Sequence, residues 1–195
     1  MSRKRVAILI SGRGSNMAAL IEAAKATDYP AEIALVLSNV PGAGGLDLAA
    51  ANGIATATVD HKSFGRDREA FERAVQAELE SHAIDIVCLA GFLRILTPWL
   101  VGQWQGRMIN IHPALLPAYK GLDTHARALA DGVTRHGATV HFVVPEMDAG
   151  PIILQGEVPV LPGDTAEALG KRVLAVEHRI YPEALRMIAT EYKLV

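Results

Sequence analysis

The chain has 195 residues, with 19 Lys and Arg against 21 Asp and Glu and a net charge of −2. Half of it is hydrophobic, which excludes wholesale disorder, and the lack of a basic excess argues against a partner bound through its phosphate backbone. The one cysteine, Cys88, can form neither an internal disulfide nor a paired-cysteine metal knuckle, and no apolar run reaches the ~18–20 residues of a membrane helix.

At roughly 100–200 residues per domain, the length predicts a single domain over residues 1–195. The basic cluster Ser2-Arg3-Lys4-Arg5 reads as a solvated lead-in to a first strand. The apolar stretch behind it is shorter than the ~7–15-residue core of a signal peptide. A soluble, cytoplasmic chain is expected, with no nucleic-acid or membrane partner; monomer and homodimer are both compatible.

The run 6–10, closed by Ser11-Gly12, reads as a strand buried on both faces. Met17, Leu20, Ile21 and Ala24 follow at helical spacing. A second strand at 33–37 ends in Ser38-Asn39 and a Pro41-Gly42 turn. An Ala-rich helix over 46–51 stops at Asn52-Gly53, and 54–59 is a weaker strand. Phe71, Val75 and Leu79 mark a helix over 68–81, and 84–90, stopped by Gly91, is the cleanest buried strand. Thr97-Pro98 reads as a cap with Pro at the first helical position. A strand at 108–111 runs into His112-Pro113; a helix over 124–130 and strands at 139–144 and 151–160 follow. Asp164-Thr-Ala-Glu167 has capping-box spacing with Asp164 at the cap, and opens a helix to about 189 that Tyr181-Pro182 should bend or interrupt.

This rhythm predicts an α/β fold: a mostly parallel twisted sheet with helices on both faces. Only 145–150 separates the last two strands, so antiparallel pairing is expected there. Ligands of such sheets sit at the carboxyl ends of the strands, where the connecting loops carry the chemistry.

Three of those loops stand out. Ser11-Gly12-Arg13-Gly14-Ser15-Asn16 joins a strand to a helix, and its glycines and helical N–H groups suit an anion, or else a capped turn with no ligand. It lacks P-loop spacing, and Met17 and Ser38-Asn39 replace the third glycine and the acid of a dinucleotide fingerprint. Asn110 and His112 lie two apart on a strand and project to one face. They form either a proton-handling pair with an oxyanion donor, or a hydrogen-bonded strand end. Asp148, before Ala149-Gly150, either reaches and orients His112 or shapes a turn. No hydrolase nucleophile accompanies them, and the seven histidines show no metal-ligand pairing on a helix, so no metal is expected. Such a set suits transfer between two bound substrates, one bringing the nucleophile and the other the carbonyl.

Ser11-Gly-Arg-Gly-Ser-Asn16, Leu89-Ala-Gly-Phe-Leu-Arg-Ile-Leu96, Asn110-Ile-His-Pro-Ala-Leu-Leu-Pro117, Val140-His-Phe-Val143 and Asp148-Ala-Gly-Pro-Ile-Ile-Leu-Gln155 occur in this order along the chain. In them the chain resembles the phosphoribosylglycinamide formyltransferases of purine biosynthesis, within the folate-dependent formyltransferase superfamily. The resemblance implies a Rossmann-like formyltransferase domain. It implies formyl transfer from the co-substrate 10-formyltetrahydrofolate to the glycinamide amine, with small molecules as the only partners. It further implies that Gly14, Ser15 and Asn16 hold the ribonucleotide phosphate and Glu177 its ribose. Arg68, Leu93, Arg94, Ile95, Leu96, Val144, Pro145, Glu146, Met147 and Asp148 would line the folate site, and Asn110, His112 and Asp148 would be the catalytic set. The sequence departs from relatives at Ala118, where some carry Lys, and at Asp123, where some carry His; Lys120 is a candidate to compensate. The alternatives are a formyltetrahydrofolate deformylase, which would use water as nucleophile, and a non-catalytic nucleotide-binding module.

Overall fold

The computed structural model describes residues 3–191. The elements run β1 (Lys4–Ile10), α1 (Ser15–Ala24), β2 (Ala31–Ser38), α2 (Gly44–Ala51), β3 (Ala55–Thr58), a 3-10 turn (His61–Phe64), α3 (Arg68–Ser81), β4 (Ile86–Leu89), α4 (Pro98–Gln103), β5 (Met108–His112), α5 (Thr124–Ala130), β6 (Arg135–Phe142), β7 (Ile152–Pro159) and α6 (Ala166–Glu191). Among them the strands form one seven-stranded sheet in the order β3-β2-β1-β4-β5-β6-β7. The pairings from β3 to β5 are parallel, and β6 runs antiparallel to both β5 and β7. The chain winds outward from β1 to β3 and then resumes on the other side with β4. That reversal opens a crevice at the carboxyl ends of β1 and β4.

The two-residue period of the strands sorts the core into two layers. Val6, Ile8 and Ile10 of β1 face the layer formed with α1, α2 and α6, whereas Ala7 and Leu9 face the layer formed with α3 and α4. β4 divides in the same way, with Ile86 and Cys88 on one side and Val87 and Leu89 on the other. Near-continuous apolar runs are therefore required, because both faces of the central strands are covered.

Several local expectations change. Arg3 is no solvated lead-in: its guanidinium donates to the carbonyls of Ala24, Tyr29 and Ala31 and so ties the chain start to α1 and β2. Ser2 lies outside the described residues. Thr97 precedes α4 but makes no cap bond, since its hydroxyl donates to Glu72. Thr165 rather than Asp164 caps α6, accepting from the Ala168 N–H at 3.1 Å. The Asp164 carboxylate is already engaged with Arg172 and the Leu161 N–H. Pro182 stays inside α6, which continues to Glu191.

Two buried braces position the strand ends. The Tyr181 hydroxyl, from α6, lies 2.9 Å from the Leu89 carbonyl and 3.2 Å from that of Ile109, bridging the end of β4 to the neighbouring β5. Thr139 of β6 donates to Ala114 O at 2.7 Å and accepts from Leu116 N–H at 3.0 Å, while Gln155 of β7 donates to Leu116 O at 3.0 Å. Together they fix the course of the loop that leaves His112.

Candidate active site

The β1–α1 loop lies at the switch point. Gly14 takes the left-handed conformation (φ 71°, ψ 46°) as the residue before α1, and no side chain caps the helix. The first-turn N–H groups of α1 thus have no side-chain acceptor, the arrangement that favours an anion. Gly45 supports the loop from α2: its N–H donates to Gly12 O at 3.1 Å, and a Cβ there would stand 2.4 Å from Ile10 Cδ1. Ser15 is exposed. Asn16 Nδ2 donates to Glu177 Oε2 at 2.6 Å, while Asn16 Oδ1 is buried with no hydrogen-bond partner among the described residues. Burial raises the Glu177 carboxyl above its ordinary value, opposed by the Asn16 hydrogen bond and by the nearby His178 and His112 imidazoles. The Asn16 hydrogen bond therefore places Glu177 beside the glycine loop.

On β5, Asn110 and His112 project to one face as their spacing requires. His112 Nε2 lies 2.8 Å from Tyr119 O. A carbonyl only accepts, so Nε2 carries a proton. Nδ1 then faces Asp148 Oδ2 at 3.4 Å, with both side chains nearly buried. Asp148 reaches this position at φ 52°, a left-handed backbone that costs on the order of 1 kcal/mol for a residue with a side chain. Its Oδ2 also accepts from the Gly121 N–H at 2.9 Å. Asp148 is thus a turn residue and a partner of His112 at once.

His141 is the member of this cluster that sequence reasoning did not single out. It sits on β6 directly across from Asn110. Its Nδ1 donates to Phe142 O at 2.9 Å, leaving Nε2 to accept from Asn110 Nδ2 at 3.3 Å. Burial lowers the His141 pKa, which favours the neutral ring that this pattern needs. The signal available in the sequence was a polar residue inside the apolar run Val140-His141-Phe142-Val143.

Beside the cluster opens a cavity of about 630 Å³, a size within the range of small-molecule sites. Asn110, His141 and Asp148 form part of its wall; His112 does not reach the lining. Leu93, Arg94, Ile95 and Leu96 form one side, and Val144, Pro145, Glu146 and Met147 another. Leu89, Phe92, Val101, Gly121, Leu122 and Val143, absent from the sequence-based set, complete it. Arg68 does not line the cavity: its guanidinium donates to the Ile95 carbonyl and so holds the rim. Leu93 (77% exposed), Ile95 (68%) and Leu122 (80%) present large apolar side chains to solvent around one concavity, the signature of a surface that a ligand covers. Of the two departures from relatives, Ala118 forms part of a turn to Leu115 O, and Asp123 precedes α5 at φ 56° with no cap bond. Lys120 pairs with Glu146 at 3.3 Å on the cavity rim. Among the described residues no cluster of three or more His, Cys, Asp or Glu could hold a metal ion, and no helix is long and apolar enough to cross a membrane.

Comparison with known proteins adds a family. Residues 4–185 match the formyl transferase family model. The phosphoribosylglycinamide formyltransferase of Escherichia coli K12 is 46% identical, over 94% of this chain and 86% of its own length. The human trifunctional purine biosynthetic protein adenosine-3 is 49% identical over 96% of this chain, which spans only 18% of that longer protein. Among solved structures, phosphoribosylglycinamide formyltransferase from Brucella melitensis superposes with a TM-score of 0.93 at 51% identity, covering 99% of both chains. The glycinamide ribonucleotide transformylase 1 of Symbiobacterium toebii gives 0.94 at 41% identity, covering 99% of this chain and 91% of that one. Motifs, sheet order and these matches agree, and the chain belongs to the formyl transferase family, among the phosphoribosylglycinamide formyltransferases.

Proposed function

We propose that this chain transfers the formyl group of 10-formyltetrahydrofolate to the amine of 5′-phosphoribosylglycinamide, a step of purine biosynthesis. The observation that carries this reading is one of adjacency. Asn110 and Asp148 line an apolar cavity, Asp148 is paired with His112, and Glu177 is bonded to the glycine loop through Asn16.

In this reading Gly14, Ser15 and Asn16 anchor the phosphate on the amides of α1, and Glu177 accepts from the ribose. The walls 93–96 and 144–148 bind the folate, with Arg68 bracing the first of them. The neutral amine attacks the formyl carbon and forms the new C–N bond. Asn110, held by His141, stabilises the oxyanion together with His112, whose ring Asp148 orients. The tetrahedral intermediate collapses as the bond to the folate nitrogen breaks, and the proton lost by the amine passes to that nitrogen, with Asp148 and a water assisting. One oxyanion donor contributes about 2.7–4 kcal/mol to such a barrier, and holding two reactants in line contributes up to ~7–11 kcal/mol in ideal cases.

The test is release of tetrahydrofolate from the formyl donor, with and without ribonucleotide. Ribonucleotide-dependent release is expected. Release without it would point to a deformylase, and no release to a binding module. Asp148→Asn should lower kcat by about 10²–10³-fold, in the range of one lost transition-state interaction, with little change in ribonucleotide KM; full turnover would remove Asp148 from the mechanism.

A further inference from the structure

The 91–96 wall has no regular secondary structure, so a few hydrogen bonds set its place. The Ser11 N–H donates to Gly91 O at 3.1 Å, and the Leu93 N–H donates to Ser11 Oγ at 2.8 Å. Arg68 holds Ile95 O, and the Thr97 N–H donates to Glu72 at 2.6 Å. Ser11 thus supplies two of these ties, yet it belongs to the glycine loop on the opposite side of the switch point. Its hydroxyl proton is committed as well: Ser11 Oγ donates to Asn39 Oδ1 at 2.5 Å. Asn39 is buried at the end of β2, and its own carbonyl accepts from His61 Nδ1 at 2.8 Å. With its proton on Asn39 and its oxygen on Leu93, Ser11 has no donor left for an anion.

We propose that Ser11, although it sits in the anion loop, is a positioning residue for the folate wall: its hydroxyl fixes the Leu93 backbone and links the two substrate sites through one side chain. The inference rests on the assignment of the cavity to the folate. Removing the hydroxyl leaves the Leu93 N–H without its acceptor and Asn39 Oδ1 buried without its donor. The wall loosens, and the phosphate loop keeps the α1 amides.

The experiment compares Ser11→Ala and Ser11→Thr with the unaltered chain, by steady-state kinetics in both substrates and by calorimetric binding of tetrahydrofolate in the absence of ribonucleotide. For Ser11→Ala, KM for the formyl donor and Kd for tetrahydrofolate should rise about tenfold, the effect of one lost hydrogen bond. Ribonucleotide KM should stay within about twofold, and Ser11→Thr, which keeps the hydroxyl, should restore the donor KM. A merely structural defect would move both KM values together. Unchanged tetrahydrofolate binding, or a rise confined to ribonucleotide KM, overturns the inference. Should the unaltered chain bind tetrahydrofolate without transferring formyl, the proposed reaction fails, while weaker binding by Ser11→Ala still upholds the role of Ser11.

Discussion

On the β1–α1 side, the end proposed for the ribonucleotide consists of helical amides and a polar pair, half-buried Asn16 and buried Glu177, 2.6 Å apart. On the β4–β5 side, the end proposed for the folate consists of apolar side chains on irregular loops, several of them standing in solvent. The first end is made before any ligand arrives, because its geometry is that of a helix start and a hydrogen bond between two regular elements. The second depends on backbone ties to neighbours and on the ligand itself to cover its surface. On the proposed reading, charge is met by helical dipoles and shape by irregular apolar walls, a division suited to a small dianion facing a larger, flatter molecule.

That contrast can be broken or sharpened by substitution. The largest effect is expected for Asn16→Ala, which leaves Glu177 buried without its donor. Hydrogen bonds to charged groups contribute about 1.5–3 kcal/mol, so ribonucleotide KM should rise by about 10–100-fold with donor KM unchanged. A rise in donor KM would show that the two ends are not separable in this way. Leu93→Ala should do the opposite on a smaller scale. It removes apolar contact worth about 1–2 kcal/mol, raising donor KM about tenfold. The melting temperature should hold, because Leu93 is exposed in the free protein.

The smallest effect is one of pH. The folded-state pKa of Glu177 is raised above 4.5, chiefly by burial. The native chain therefore holds that proton more tightly than the unfolded chain. Its contribution to stability is fully present below about 4.5 and is lost as pH rises through the folded-state value. Denaturant midpoints measured across that window should decline in the unaltered chain, and Glu177→Gln should flatten that part of the profile. An identical decline in both would remove Glu177 as its source.

What the sequence could and could not reveal follows the same division. Asn110 and His112 share a face because strands repeat every two residues, and the helix over Arg68–Ser81 begins where Asp67 accepts from the Ala70 N–H. Patterned elements of this kind can be read directly. The start of β6 could not be, because Arg135-His136-Gly137 is no apolar run. Gly137 is required there by contact, since a Cβ would fall 2.0 Å from Gly156 O. Nor could the Tyr119 carbonyl that accepts from His112, for a backbone group leaves no trace in residue type. Asp164 misled because its carboxylate had a competing partner, Arg172, eight residues away. Glu177 and the cavity walls carry no spacing signal, and only the resemblance to relatives pointed to them.

The hydrogen bond between Asn16 and Glu177 spans 161 positions of the chain, and Tyr181 reaches back 92 and 72 positions to brace Leu89 and Ile109. Such distant pairings form slowly, because a long loop must close before either contact can form. During synthesis, a nascent chain that has not yet reached α6 carries the glycine loop and the Asn110–His112 strand but lacks the carboxylate to which Asn16 donates. On the proposed reading, competence to bind both substrates therefore arrives late, when the final helix docks, and a chain cut short before residue 177 would lack both the Glu177 carboxylate and the Ile180, Tyr181 and Leu185 side chains that cover one face of the sheet.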